Sequence, residues 1–319
     1  MGFGSVHMII IRDTTDFYLE KDTVVAIGKF DGIHRGHERI LRKMREYKAE
    51  GLKSAIFTFD VHPSGVLGEE QKVITTREEK RRIFESFEID YLIEFPFYEQ
   101  TAAISASDFI ENILISRMRV KALVCGPDLR FGHKGCGDVR LLKKYESEGS
   151  FSVYVVEKEL YMGEVISSSR IRREILSGEM EEANAMLVVP FMFFGEVVHG
   201  RRLGRTIGIP TVNLLPGEEK LMPKSGVYYS RVRHLDIEYR SVTNIGIKPT
   251  VVKQNGRERT VKGVETYIYN FDREIYGDEL LVFIHHFVRP EMNFGNLKEL
   301  QTAMQRDINE GLKWHAGHL

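Results

Sequence analysis

The stretch Val24–Leu41, VVAIGKFDGIHRGHERIL, sets a short β-branched run, a glycine-bearing turn and two histidines directly ahead of a helical pattern. A glycine-bearing strand-to-helix turn exposes backbone N–H groups, and the start of the helix adds partial positive charge, so phosphate binding is physically natural there. His34 and His37 are three residues apart, which puts both imidazoles on one side of the first helical turn. Gly36 between them lets a ligand approach the backbone. The plainer alternative is a structural turn carrying two surface histidines.

Outward from this stretch, short apolar runs alternate with helical patterns as far as about Leu160: TVVAIG, KSAIFTF, DYLIEF, VKALVCG and SVYVVE read as strands. Ile40, Leu41, Met44 and Tyr47 recur at helical spacing, with Gly51 placed to end that helix. Ser105 opens an SASD cap ahead of a helix carrying Phe109, Ile110, Ile113 and Leu114, and a further helix is expected from Arg170 to about Leu187. Repeated βαβ units of this kind predict an α/β, Rossmann-like domain with a parallel sheet.

After Pro190 the texture changes. FFGEVV, PTVNLL, GVYYSRV, VETYIYNF and LLVFIHHFV follow one another with turns and little helix, which predicts a mainly β domain, an antiparallel sheet or closed barrel. Leu297, Leu300, Met304 and Ile308 form an apolar stripe, so a terminal amphipathic helix is expected to pack on it. The expected domains are therefore 8–187 and 188–319. The opening MGFGSVH carries no pattern and stands outside the fold argument.

At 319 residues the chain exceeds the size at which one core keeps growing, and its 42% hydrophobic content can furnish two. The 45 basic and 46 acidic residues nearly cancel, which removes the bulk electrostatic reason to expect a nucleic-acid or membrane-surface partner. No stretch approaches the roughly 20 apolar residues that span a bilayer, and no signal-peptide pattern is present. With two cysteines only, a disulfide scaffold is excluded and a cytoplasmic location is expected. Nothing calls for an obligate protein partner. Cys125, His133 and Cys136 lie close together, but zinc sites usually show a tight cysteine pair and four ligands, so Cys125, ending an apolar strand, reads as a buried thiol.

The run GEVVHGRRLGRTIGIPTVN holds Gly195, Gly200, Gly204 and Gly208 between strands, where they serve either phosphate wrapping or hairpin turns. Thr211 and Asn213, two apart on an expected strand, point to one face. A hydroxyl and an amide oxygen are hard ligands suited to Mg²⁺.

Several segments carry a resemblance. HRGH resembles the HxGH motif of the nucleotidyltransferase superfamily, and GKFDGIHRGH, FTFDVHP, GPDLRFG and ISSSRIR together resemble the prokaryotic bifunctional riboflavin kinase/FAD synthetase family. GEVVHGRRLGRTIGIPTVN, NIGIKPT, VETYIYNFDREIYG and VRPEMNFGNLKELQ resemble its kinase segments, so the likeness runs from about Val24 to Ile308. The sequence has Leu129 and Ser169 where the family pattern has Phe and Thr, and PTVN for PTAN.

The resemblance implies phosphorylation of riboflavin to FMN by ATP in the C-terminal half and adenylyl transfer from ATP to FMN, giving FAD and pyrophosphate, in the N-terminal half. It assigns His34 and His37 to catalysis, with Gly28, Phe30, Gly36, Ser168, Ser169 and Arg172 at ATP. Asp60, His62, Asp128 and Phe131 would line the flavin or nucleotide pockets. In the kinase half, Gly200, Gly204, Arg205 and Gly208 would meet ATP, Thr211 and Asn213 would hold Mg²⁺, and Arg289 and Phe294 would cover the flavin. Glu265 stands at the family's catalytic-base position; its alternative is a cross-strand ion-pair partner. The partners expected are small molecules: riboflavin, FMN and ATP.

Competing readings are a protein with one half inactive, a non-enzymatic flavin-binding module, and a first half acting on another phosphate ester such as phosphopantetheine. The phosphate and metal groups argue against the first two, and the C-terminal pattern selects flavin.

Overall fold

The computed structural model describes residues 8–60, 72–200, 203–254 and 257–318, and the chain divides into two compact units, Met1–Ser167 and Ser168–Leu319. In the first unit, β1 (Ile9–Arg12), β2 (Thr23–Ile27), β3 (Lys53–Phe59), β4 (Tyr91–Phe95), β5 (Val120–Cys125) and β6 (Ser152–Val155) form one sheet in the order β1-β4-β3-β2-β5-β6. Every pair in it is parallel. All residues of β2 are buried, as expected of a strand covered on both faces. The five strands expected from sequence are present; β1 adds an edge strand beside β4 that the sequence patterns did not single out. Setting β1 aside, the strand order reverses between β2 and β5, the topological switch point at which open α/β sheets bind ligands beyond their carboxyl ends.

Helix α1 (Arg35–Ala49) buries Ile40, Leu41 and Met44, the residues whose spacing announced it. It stops at Gly51, whose φ of +104° permits a Schellman ending: Gly51 N–H donates to Lys48 and Leu52 N–H to Tyr47. Helices α2 (Arg77–Ser86) and α3 (Val139–Ser147) follow. Between them, the helix expected after Ser105 is a short α-turn, Ala106–Asp108, running into a π-helix, Phe109–Arg117. The wider turn still buries Phe109, Ile110, Ile113 and Leu114 together. A small hairpin, β7 (Leu160–Tyr161) and β8 (Glu164–Val165), closes the unit.

The second unit opens with α4 (Ser168–Ser177) and α5 (Met180–Met186), which corrects the single helix expected over 170–187. Gly178, at φ +91°, breaks it: its N–H reaches Ile175 and that of Glu179 reaches Glu174, ending α4 where periodicity alone would continue. Asn184 of α5 donates to the Ile284 carbonyl and accepts from Phe191 N–H.

Strands β9 (Met192–Glu196), β10 (Val212–Leu214), β11 (Gly226–His234), β12 (Ile237–Gln254), β13 (Arg257–Ile268) and β14 (Glu279–Pro290) form an antiparallel sheet ordered β10-β13-β12-β11-β14-β9. Val198 N–H donates to Asn213 at 2.9 Å, joining the extension of β9 to β10 and nearly closing a barrel, which removes the open sheet edges. One face of the strands carries a chain of hydroxyls, Ser241, Ser230, Thr243 and Thr266, linked at 2.7–2.9 Å. The opposite face meets the terminal helix α6 (Leu297–Gly317): Ile308, Met304 and Trp314 pack with Val227, Tyr229, Val242 and Tyr269.

Candidate active sites

In the first unit, His34 is the N-cap of α1 and His37 its third residue, and the two form a reciprocal capping box built from imidazoles. His37 N–H donates to His34 Nδ1 at 3.3 Å and His34 N–H to His37 Nδ1 at 3.4 Å. The rings stack with centroids 3.8 Å apart. Because each Nδ1 accepts, the proton of a neutral ring sits on Nε2, from which it donates. Both rings are neutral at neutral pH. Burial lowers His34 to about 4, against an opposing pull from the Asp128 carboxylate. Burial also holds His37 well below the ordinary value, aided by His34 and the Lys80 charge and opposed by a hydrogen bond to the Gly32 backbone.

The turn carrying this pair is held from behind. A Cβ on Gly36 would lie 3.1 Å from the His34 ring, close enough to displace that ring slightly. Phe30 adopts φ +49° and is 1% exposed, its ring 5.0 Å from His37 and 5.4 Å from Phe84. Phe30 therefore backs His37, and a Cβ on Gly28 would press on Phe30 at 3.1 Å. Asp31, buried, accepts from the Ile74 and Thr75 backbone at 2.7 and 3.2 Å, and Gly32 N–H donates to Thr75 Oγ1. Asp31 was missed because an aspartate in a turn reads as generic turn chemistry; its burial is a tertiary fact.

Across the switch point, Asp128 follows β5, exposed and paired with Lys158 at 3.2 Å. Phe131 instead belongs to the core, 5.6 Å from Phe109, and its backbone pairs with Gly137. Asp60 directly follows β3, its carboxylate accepting from Phe97 N–H and its carbonyl from Arg77. His62 lies outside the described residues. Cys125 is buried, its thiol pushed up to about 11 by desolvation. Ser168, Ser169 and Arg172 occupy the first turns of α4, in the second unit.

In that unit, the register sets Asn213 of β10 directly opposite Glu265 of β13, and Val212 opposite Thr266. Asn213, Thr211 and Glu265 thus share a face while Thr266 joins the buried hydroxyl chain on the other. Thr211 Oγ1 donates to Glu265 Oε1 at 2.7 Å, and Asn213 stands opposite Glu265 in the register, so the three oxygen-bearing groups are neighbours on one face. Glycines press against this cluster: a Cβ on Gly200 would sit 2.8 Å from Asn213 Cγ, and one on Gly204 3.3 Å from Thr211 Oγ1. Gly208, at φ +75°, makes the turn into Pro210. Beside it a cleft is lined by Arg205, Thr211, Phe271, Arg273, Glu274 and Tyr276, with Arg205 paired to Glu274 at 2.7 Å.

Arg289 is committed elsewhere: its guanidinium grips buried Asp307 of α6, Nη2 to Oδ2 at 2.6 Å and Nε at 3.1 Å from both oxygens. Phe294 is half-buried in the segment before α6.

Comparison with known proteins accords with both halves. The FAD synthetase family model matches residues 17–170 and the riboflavin kinase model residues 187–315. A Listeria monocytogenes bifunctional riboflavin kinase/FMN adenylyltransferase is 35% identical over 92% of this chain and 93% of the relative; that of Bacillus subtilis is 32% identical over 92% of each. A solved Streptococcus pneumoniae structure described as a macrolide-efflux protein superposes with TM-score 0.83 at 29% identity, covering 96% of this chain and 99% of that one. No helix among the described residues is long and apolar enough to cross a membrane. With relatives this similar along nearly the whole length, the chain belongs to the bifunctional riboflavin kinase/FMN adenylyltransferase family.

Proposed function

We infer that the chain makes FAD from riboflavin in two steps, phosphorylating riboflavin to FMN in the second unit and adenylylating FMN in the first. The observation that carries this reading is the pairing of two unlike phosphate sites in one chain: a helix-capping imidazole pair after β2, and the Thr211–Glu265–Asn213 cluster on β10 and β13. We place the divide between the activities at 187/188; the two family models match residues 17–170 and 187–315.

In the first unit the FMN phosphate, already ionised, attacks the α-phosphorus of ATP and expels pyrophosphate. No strong base is needed, and positioning with charge stabilisation carries the step. His34 donates Nε2–H to a phosphate oxygen, and His37 does so on giving up its hydrogen bond to the Gly32 backbone; Gly36 and the first N–H groups of α1 receive the phosphates, with Ser168, Ser169 and Arg172 assigned to the β and γ positions. Phe30 and Gly28 act by holding His37. Asp60, His62 and Asp128 are assigned to the flavin or nucleotide, and Phe131 to support of that wall from the core.

In the second unit the nucleophile is a neutral alcohol, which gains from a base. Glu265 takes the ribityl hydroxyl proton, and its hydrogen bond from Thr211 orients the carboxylate. The oxygen donors of Thr211 and Asn213 suit Mg²⁺, which would be held there and would supply neutralisation of ATP phosphate charge. The bare Cα of Gly200 leaves the room that Asn213 requires. Gly204, Arg205 and Gly208 are assigned to ATP. Phe294 is assigned to the flavin, and Arg289 shapes that wall through Asp307.

The test is direct: incubate the protein with riboflavin, ATP and Mg²⁺ and separate the flavins. FMN and FAD should both form; formation of neither sinks the reading.

A further inference from the structure

A transfer that gathers a triphosphate and a phosphate monoester at one point collects several negative charges. The two imidazoles facing it are neutral, and the helix start offers only about half a positive charge. With Arg172 assigned to the β and γ phosphates, a further full cation is wanted at the transferring phosphate, and the basic residues of the first unit differ in how far they are already engaged. Arg35 and Arg39 both hold Glu159, at 3.3 and 3.2 Å. On α2, Arg77 donates to the Asp60 carbonyl at 2.5 Å, and Arg81 forks onto buried Glu94, its Nε 2.9 Å from Oε1.

Lys80, one turn after Arg77 on the same helix, is different. Its ammonium donates to the carbonyl of Lys29 at 3.3 Å, and it forms no ion pair with a described residue. An ammonium has three donors and a carbonyl occupies one. Lys29 immediately follows Gly28 at the carboxyl end of β2, and Thr58 at the end of β3 leans on the same carbonyl at 3.5 Å. Lys80 thus stands where an open α/β sheet receives its ligand. Its charge is felt at His37, and burial lowers its own pKa despite the pull of Asp31 and Glu94, so the ammonium is partly stripped of water without a carboxylate in contact.

We propose that Lys80 is a phosphate-binding residue of the adenylylation site, supplying to the transferring phosphate the full positive charge that the neutral His34–His37 pair lacks. The proposal rests on the adenylyl-transfer reading of the first unit. A desolvated point charge strengthens contact with a phosphate oxygen and is not spent on neutralising a protein carboxylate.

The test uses the full chain with Lys80→Met, which keeps the stem and removes the charge, and Lys80→Arg, which keeps it. Lys80→Met should lose about a hundredfold or more in kcat/KM for FMN adenylylation, the loss typical of one transition-state donor, while riboflavin phosphorylation stays within about twofold. Titration with inorganic pyrophosphate, followed by calorimetry, should show at least about tenfold weaker binding in Lys80→Met and recovery in Lys80→Arg. The pyrophosphate titration needs no FMN chemistry, so it separates this proposal from the reading it rests on: wild type that binds pyrophosphate through Lys80 yet makes no FAD overturns only the latter. Unchanged adenylylation and pyrophosphate affinity in Lys80→Met would overturn the proposal, as would a loss of both with a lowered melting midpoint and no recovery in Lys80→Arg.

Discussion

Around His34 and His37 the facing groups are neutral imidazoles and helix N–H donors set by one stretch of chain; around Asn213 they are a carboxylate, a hydroxyl and an amide brought together from β10, β13 and the segment between β9 and β10. The contrast follows the nucleophiles. A phosphate that arrives ionised needs donors for its oxygens, whereas an alcohol needs somewhere to leave its proton. One site is therefore local and largely a matter of helix capping, and the other depends on strand register.

The comparison breaks most sharply at Glu265. Glu265→Gln keeps shape and removes the base, so riboflavin phosphorylation should fall by about 10² to 10⁴ while supplied FMN is still converted to FAD. Separate assays of the two steps check this; an unimpaired kinase would make the carboxylate structural. Next in size, His37→Ala removes a donor, half of the capping box and the ring stacked on His34, and should slow adenylylation by about 10² to 10³ with phosphorylation intact. Equal damage to both activities would contradict two independent sites.

Two glycines sharpen the contrast at smaller amplitude. Gly200→Ala drives a methyl into Asn213 and should cost the kinase about tenfold or more in kcat/KM, read most clearly in its Mg²⁺ dependence. Gly36→Ala meets the edge of His34 at 3.1 Å, a gap that a small ring shift relieves, so adenylylation should fall by only a few-fold.

The smallest effect concerns pH. His34 is lowered from 6.5 to about 4 and His37 also lies low, so the unfolded chain binds protons on them that the folded chain does not. Their contribution to stability is complete above about pH 6.5 and is lost as pH falls toward 4. FMN adenylylation should accordingly show no histidine inflection between about pH 6 and 8, and the melting midpoint should drop on acidification through the window below 6.5. An inflection near 6.5 that His34→Gln or His37→Gln abolishes would mean that a ring is protonated in the working enzyme.

Much of this was legible in the residues themselves. Strand-to-helix turns, β-branched runs and helical spacing are local signals, and the buried residues of α1 and the strands of the parallel sheet fall where those signals put them. The pair His34 and His37 was visible for the same reason: a spacing of three fixes one face of one helical turn. So was the shared face of Thr211 and Asn213, since a strand alternates with period two.

What the chain patterns left open depends on partners distant in sequence. That the four residues of β1 pair with β4, and that a single expected helix breaks at Gly178, is decided by sheet-edge pairing and by a glycine's access to positive φ. That Arg289 grips Asp307, that Phe131 and Phe30 are core rings, and that Glu265 meets Thr211 across strands is settled by register and burial. The sequence by itself determined the two fold classes, the family likeness and the chemical types at each site, because these rest on short-range periodicity and on residue identity. Only the tertiary structure decided which charges are already neutralised and which, like that of Lys80, have no carboxylate in contact among the described residues, because pairing and desolvation depend on groups that folding brings together.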